Sequence, residues 1–223
     1  MKPYYEDKLT TLYCADSFKF CPVSLDSKCI TITDPPFNIG YHYSSYKDKM
    51  DELEYYDFLN AVIKLPCVLV HYPEPVFRFA FMKGQPPNRC VAWVYNSNTR
   101  RQWRMIAYFG VEPDFGLVPG TYKNPNDKRG KKLIKSGKCP IYDWWNVNQV
   151  KNVSKQKTEQ TCQMPVEVMR RCVGVTKSDI VYDPFAGAGT TLVACKMLGR
   201  KSVGCELDET YCEITTKRLK EIK

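Results

Sequence analysis

The chain predicts an α/β fold on a doubly wound, mostly parallel sheet, and three observations carry that expectation. Short β-branched or apolar runs alternate with stretches of helical period, the pattern of strand–helix units in a parallel sheet. Two of those runs, Cys29–Thr33 and Ile180–Tyr182, end in carboxylate-bearing turns, Asp34-Pro35-Pro36-Phe37 and Asp183-Pro184-Phe185-Ala186-Gly187-Ala188-Gly189. Doubly wound sheets place their ligand sites in such turns at the carboxyl edge. Finally, 223 residues with 43% hydrophobic content suit one domain carrying a sizeable insertion.

The elements follow in order. After the first turn, residues 51–63 open with acids that suit the positive end of a helix dipole, and Leu53, Tyr56, Leu59 and Ile63 recur at helical intervals. Cys67–Val70 reads as a buried strand, Pro75 to Met82 as a second helix and Cys90–Tyr95 as another strand. From about Pro113 to Gln160 the pattern fades into turns at Asn124-Pro125, Arg129-Gly130 and Ser136-Gly137. Regular structure resumes with Pro165 heading a helix to Cys172. The last unit is the clearest: strand 180–182, glycine turn, helix 190–198, strand 202–205 and helix 208–222. The expected organisation is therefore 1–112 and 161–223 as two parts of one catalytic domain, with 113–160 as a small irregular insertion.

Composition narrows the classes. No apolar window approaches a membrane span, and the N-terminal residues lack the core of a signal peptide, so a cytoplasmic protein is expected. The eleven cysteines form no C-x-x-C pair and the only histidines are His42 and His71, so no metal is expected. Residues 84–160 hold 14 Lys/Arg against 5 Asp/Glu, a charge of +9 that equals the net charge of the whole chain. A basic block between near-neutral flanks is an electrostatic footprint for a polyanion.

In the second turn, glycines let the backbone approach a ligand, and the following helix points free amides at it. Glu206 stands 23 positions after Asp183, where doubly wound nucleotide sites place an acid for ribose hydroxyls. No G-K-[ST] follows, which disfavours a phosphate loop. The first turn is stiff and rich in acceptors, because Pro35 and Pro36 fix φ and donate no N–H. The Asp34 carboxylate and the Pro35 carbonyl suit the two N–H groups of a base's exocyclic amine, freeing the nitrogen lone pair for attack. Phe37 offers a face on which an extruded base stacks.

At these residues the chain resembles the β class of DNA amino methyltransferases, in which D-P-P-[YFW] precedes F-x-G-x-G with a target-recognition segment between. Asp34 lies 149 positions before Asp183, with the basic block in the interval. Leu12–Asp16 and Gln160–Pro165 also resemble family elements, with Ala15, Gln160 and Met164 departing from the usual Gly, His and Lys. The resemblance implies a Rossmann-like sheet of the S-adenosylmethionine-dependent methyltransferase type. It implies cofactor contacts from Asp16, Asp34, Gln163, Asp183, Phe185, Gly187, Gly189, Thr190, Thr191 and Glu206, with chemistry at Asp34, Pro35, Pro36 and Phe37. Asn38 and Tyr41 leave the reactive turn towards the target, and Lys123, Lys128, Arg129, Lys131, Lys132 and Lys135 suit DNA phosphates. The activity implied is methylation of adenine N6 in a flipped-out base of double-stranded DNA by a monomer or homodimer. Cytosine N4, an RNA substrate, a DNA-binding module that holds the cofactor without catalysis, and NAD binding are the alternatives.

Overall fold

Strand formers with both faces covered make the centre of the molecule. The strands are β1 (Tyr5–Glu6), β2 (Thr10–Cys14), β3 (Cys29–Thr33), β4 (Cys67–His71), β5 (Arg89–Val94), β6 (Trp103–Phe109), β7 (Trp144–Asn146), β8 (Ile180–Asp183) and β9 (Lys201–Glu206). Every residue of β3 and β4 is buried, as expected of interior parallel strands. The computed structural model describes residues 1–22, 28–40, 48–98, 100–120, 128–135, 139–150 and 163–222, apart from the side chains at 129, 130, 133 and 134.

Among the described residues these strands form one sheet in the order β1-β2-β9-β8-β3-β4-β6-β5-β7. The run β2-β9-β8-β3-β4 is parallel, whereas β1 and β6 pair antiparallel with their neighbours. From β8 the chain crosses over to β9, and from β3 it crosses the opposite way to β4. The boundary between β8 and β3 is therefore the switch point at which such sheets open a crevice.

The helices are α1 (Glu52–Val62), α2 (Pro73–Lys83), α3 (Lys128–Lys135), α4 (Val166–Gly174), α5 (Thr190–Met197) and α6 (Glu209–Glu221). Alternation along β4 assigns them to two layers. Val68 and Val70 pack with α4 and α5, while Cys67 and Leu69 pack with α1 and α2. Helix starts follow local chemistry: Asp51 accepts from Leu53 N at 2.9 Å and Asp208 from Thr210 N at 2.9 Å. Gly84, at φ 67°, closes α2.

Several expectations shift. Of the four apolar positions expected to face inward on α1, Tyr56, Leu59 and Ile63 are buried, joined by Tyr55 and Val62, while Leu53 is 77% exposed. Helix α2 begins at Pro73, where a missing N–H costs nothing. The strand β6, which sequence periodicity did not single out, is a central one. The stretch 113–160 contains α3 and β7, and Trp145 of β7 is buried in the core beside Trp93, while Trp144 is 46% exposed. No helix among the described residues is long and apolar enough to cross a membrane.

Candidate active site

Parallel alignment brings the carboxyl ends of distant strands to one edge. Cys14 pairs with Glu206, Asp183 with Gly204, Thr31 with Tyr182 and Thr33 with Leu69, so Asp16, Glu206, Asp183, Asp34 and His71 end five adjacent strands. A cleft of about 680 Å³ opens there. Of the expected site residues, Asp16, Asp34, Pro36, Phe185 and Glu206 line it. Phe18, Met50, Glu54, Asp57, Phe58, Leu207 and Tyr211 also line it. The sequence signal for Glu54, Asp57 and Phe58 was their i, i+3, i+4 spacing on α1, which puts them on one helix face.

The glycine turn is shaped from behind. Gly187 and Gly189 have φ of 53° and 73°, and a Cβ on Gly189 would meet the Thr215 methyl at 2.4 Å. Thr215 Oγ1 donates to the Gly187 carbonyl at 2.9 Å, and Arg218 donates to the Ala188 carbonyl. Burial lowers the Arg218 guanidinium to about 10. Glu206 accepts from Gly187 N at 2.7 Å and Asp208 N at 2.9 Å. Burial nevertheless raises its carboxyl to about 7.

Asp183, Gly187, Gly189, Thr190, Thr191 and Gln163 do not line the cleft. Asp183 is 2% exposed and takes hydrogen bonds from Thr33 Oγ1 at 2.7 Å, Phe185 N at 3.1 Å and the Thr191 side chain. It clamps β3, β8 and the start of α5 together. Thr190 Oγ1 donates to the Met164 carbonyl at 3.4 Å, and Gln163 is buried. These residues build the wall rather than face the cleft.

Asp34 differs. Its Oδ2 lies 3.6 Å from Arg104 Nη1, both side chains being largely buried, and its Oδ1 is buried with no hydrogen-bond partner among the described residues. Burial raises the carboxyl to about 7 against the pull of Arg104, and the charge of Asp183 adds to the rise. Arg104, from β6, stacks over Phe37 at 4.5 Å and Trp93 at 5.3 Å. Sequence reasoning counted Arg104 only as part of the basic block.

A second chain of bonds fixes the turn. Tyr72 N donates to His71 Nδ1 at 2.7 Å, so the ring proton sits on Nε2 and is shared with Tyr55 Oη at 2.8 Å. Tyr55 Oη in turn donates to the Pro36 carbonyl at 2.7 Å. Burial, with Arg104 and Arg101 nearby, lowers His71 to about 3, so it is neutral. With the Pro36 carbonyl occupied, Asp34 Oδ1 is the side-chain acceptor of the turn that has no partner among the described residues, and Pro35 is buried and does not line the cleft. Phe37 already carries His71 at 4.3 Å, Tyr72 at 5.1 Å and Arg104, so part of the ring expected to stack a base is covered.

On the expected DNA side, Asn38 has a structural role that the sequence reading did not include. It adopts φ 56° and spends both ends of its amide on the Met50 backbone, at 3.0 and 2.6 Å. These bonds tie it to Met50 and leave one amide N–H and one oxygen lone pair over. Lys128, Lys131, Lys132 and Lys135 are exposed on α3, which also carries Arg129. Tyr41 and Lys123 lie outside the described residues.

Comparison with known proteins gives concordant matches. Residues 81–217 match the family described as DNA methylase. The chain is 28% identical to the Type II methyltransferase M.ScaI of Streptomyces caespitosus, over 98% of this chain and 84% of that one. It is 25% identical to M.HpaI of Haemophilus parainfluenzae, over 93% and 73%. Among solved structures, the cytosine-N4-specific PvuII DNA methyltransferase superposes with a TM-score of 0.62 at 14% identity, covering 98% of this chain and 95% of that one. M1.HpyAVI in complex with SAM does so at 0.59 and 20%, covering 95% and 99%. At such identities these two share the fold.

Proposed function

The chain belongs to the DNA methylase family, and from that premise we propose that it moves a methyl group from S-adenosylmethionine to the exocyclic amino nitrogen of adenine in a flipped-out base of double-stranded DNA. The cleft fits that cofactor. Asp16, Asp34, Glu54, Asp57 and Glu206 line it, and none of the described lining residues is lysine or arginine, a surface suited to a cation. Glu206 retains a lone pair for a ribose hydroxyl beyond its backbone bonds from Gly187, Asp208 and Leu207. When bound, S-adenosylmethionine supplies an electrophilic methyl group.

The protein's own part is alignment. Asp34 Oδ1 accepts one N–H of the target amine and the Pro35 carbonyl the other, which leaves the nitrogen lone pair free. The His71–Tyr55 relay holds Pro36 so that the turn keeps its shape, and a carboxyl raised to about 7 is suited to take the proton the nitrogen sheds. The stretch 113–160 serves as the target reader, with the lysines of α3 against phosphates. Type II relatives suggest a modification partner of a restriction system in a bacterial or phage-infected cytoplasm.

The observation that carries this reading is the buried, unpartnered Asp34 Oδ1 at the edge of the cleft that Glu206 also lines. Its test is mass spectrometry of nucleosides from duplex DNA of varied sequence incubated with the protein and S-adenosylmethionine. N6-methyladenine is the expected product. N4-methylcytosine would select the second reading, which the cytosine-N4-specific structural neighbour favours, and unmodified DNA would sink both.

A further inference from the structure

A buried carboxylate that must accept a hydrogen bond has to stay ionised, and burial at Asp34 works against that. The groups facing it come from several elements. Asp183 of β8 repels its charge, and Glu54 and Asp57 of α1 line the same cleft. Tyr95 beyond β5 and Cys172 of α4 are neutral neighbours. His71 at the end of β4 is neutral too. Among the described residues Arg104 is the cation that counters the burial.

Arg104 is placed for that task. Pairing of Met105 with His71 sets Arg104 beside the carboxyl end of β4. Its guanidinium is caged by Phe37 at 4.5 Å, Trp93 at 5.3 Å and Tyr72 at 5.8 Å, and Nη1 meets Met164 Sδ at 3.4 Å. It approaches Oδ2 of Asp34 and leaves Oδ1 unpartnered.

We propose that Arg104 is a positioning residue for methyl transfer: it occupies one oxygen of Asp34 as a caged counter-charge, so that the other oxygen faces the target amine as an ionised acceptor. This rests on the methyl-transfer reading and divides the carboxylate between a resident partner and a visiting one. Because Arg104 also stacks on Phe37, it couples the aromatic platform to the acid, and a base entering the turn meets both already arranged.

The test is the pH dependence of single-turnover methyl transfer on the DNA substrate that the product assay identifies. Wild type should lose rate on the acid side as Asp34 takes up a proton. Arg104→Met should move that acid limb upward by roughly one pH unit or more, because the attraction that held the proton off is gone. Arg104→Lys should return the limb towards the wild-type position while recovering only part of the rate, since an ammonium lacks the planar stacking group. In an Asp34→Asn background, Arg104→Met should cost at most a few-fold further, because an amide acceptor needs no counter-charge. If Arg104→Met does not fold, Arg104→Gln is read the same way. A uniform loss of rate with an unmoved limb would overturn the role of Arg104 alone. Absence of transfer by the wild type would instead remove the methyl-transfer reading beneath it.

Discussion

Asp34 and Asp183 end neighbouring parallel strands, are both buried, and have opposite hydrogen-bond fates. Asp183 is surrounded by donors from Thr33, Thr191 and Phe185 N, and its carboxylate is consumed in joining two strands to a helix. Asp34 has one oxygen beside Arg104 and one with no hydrogen-bond partner among the described residues. Burying an unpaired polar atom costs about 1–3 kcal/mol, so the arrangement persists against stability. Identical chemistry at equivalent positions thus serves as scaffold in one half of the crevice and, in the proposed reaction, as reagent in the other. The rest of each half agrees. The glycine turn is tied from behind by Thr215, Arg218 and Glu206, whereas the Asp-Pro-Pro-Phe turn is braced through Pro36 while Asp34 Oδ1 has no partner among the described residues.

The sharpest way to break this contrast is to remove each carboxylate in turn. Asp34→Asn, which keeps a polar amide beside Arg104, should lower methyl transfer by about 10³-fold or more while shifting the melting temperature by no more than about 2–4 °C. Asp183→Ala should instead destabilise by about 3–5 kcal/mol, since it strands two buried hydroxyls and an amide. Equal melting losses in the two variants, read by calorimetry, would erase the distinction. Smaller in effect, Gly189→Ala should cost about 1–3 kcal/mol and weaken cofactor binding, because its Cβ would collide with Thr215 at a φ that disfavours a side chain. An unchanged affinity by titration calorimetry would show that the turn tolerates distortion.

The last test uses pH. The Asp34 carboxyl rises from an ordinary 3.8 to about 7 in the folded protein, so its contribution to stability is full below 3.8 and is lost as pH rises through 7. Relative to Asp34→Asn, the wild type should therefore gain about 5–10 °C in melting temperature between pH 8 and pH 5. A gap that is flat or reversed would place the proton elsewhere.

Much of this was legible in the sequence, for definable reasons. The unit from Ile180 to Glu221 combines short-range signals (a strand, a glycine turn, a helix and an acid at fixed distance), and the structure places each element within a residue or two. The Asp34 turn was legible because two prolines restrict the backbone whatever the surroundings. What sequence could not show were contacts made across the sheet. Arg104 sits in a basic stretch, and only the pairing of β6 with β4 turns it away from solvent towards Asp34. The role of Asn38 was missed because its partner Met50 lies beyond a loop. Thr190, Thr191 and Asp183 belong to the right motif but stand behind the cleft, a distinction of depth that spacing does not encode. Leu53 shows the limit of helical period, since its neighbour Tyr55 won the buried face by reaching His71.

The seam between β3 and β8 carries one more consequence. On one side of it lie β3 to β7, drawn from one continuous stretch of chain, and on the other β8 and β9 with the β1–β2 ribbon, drawn from the two ends of the sheet-forming sequence. Every cleft group is delivered by the edge of one side or the other, so the geometry depends on how the two blocks abut and not on which is written first. Rewiring the polypeptide so that the blocks exchange places, with a new junction far from the crevice, would leave the same crevice standing.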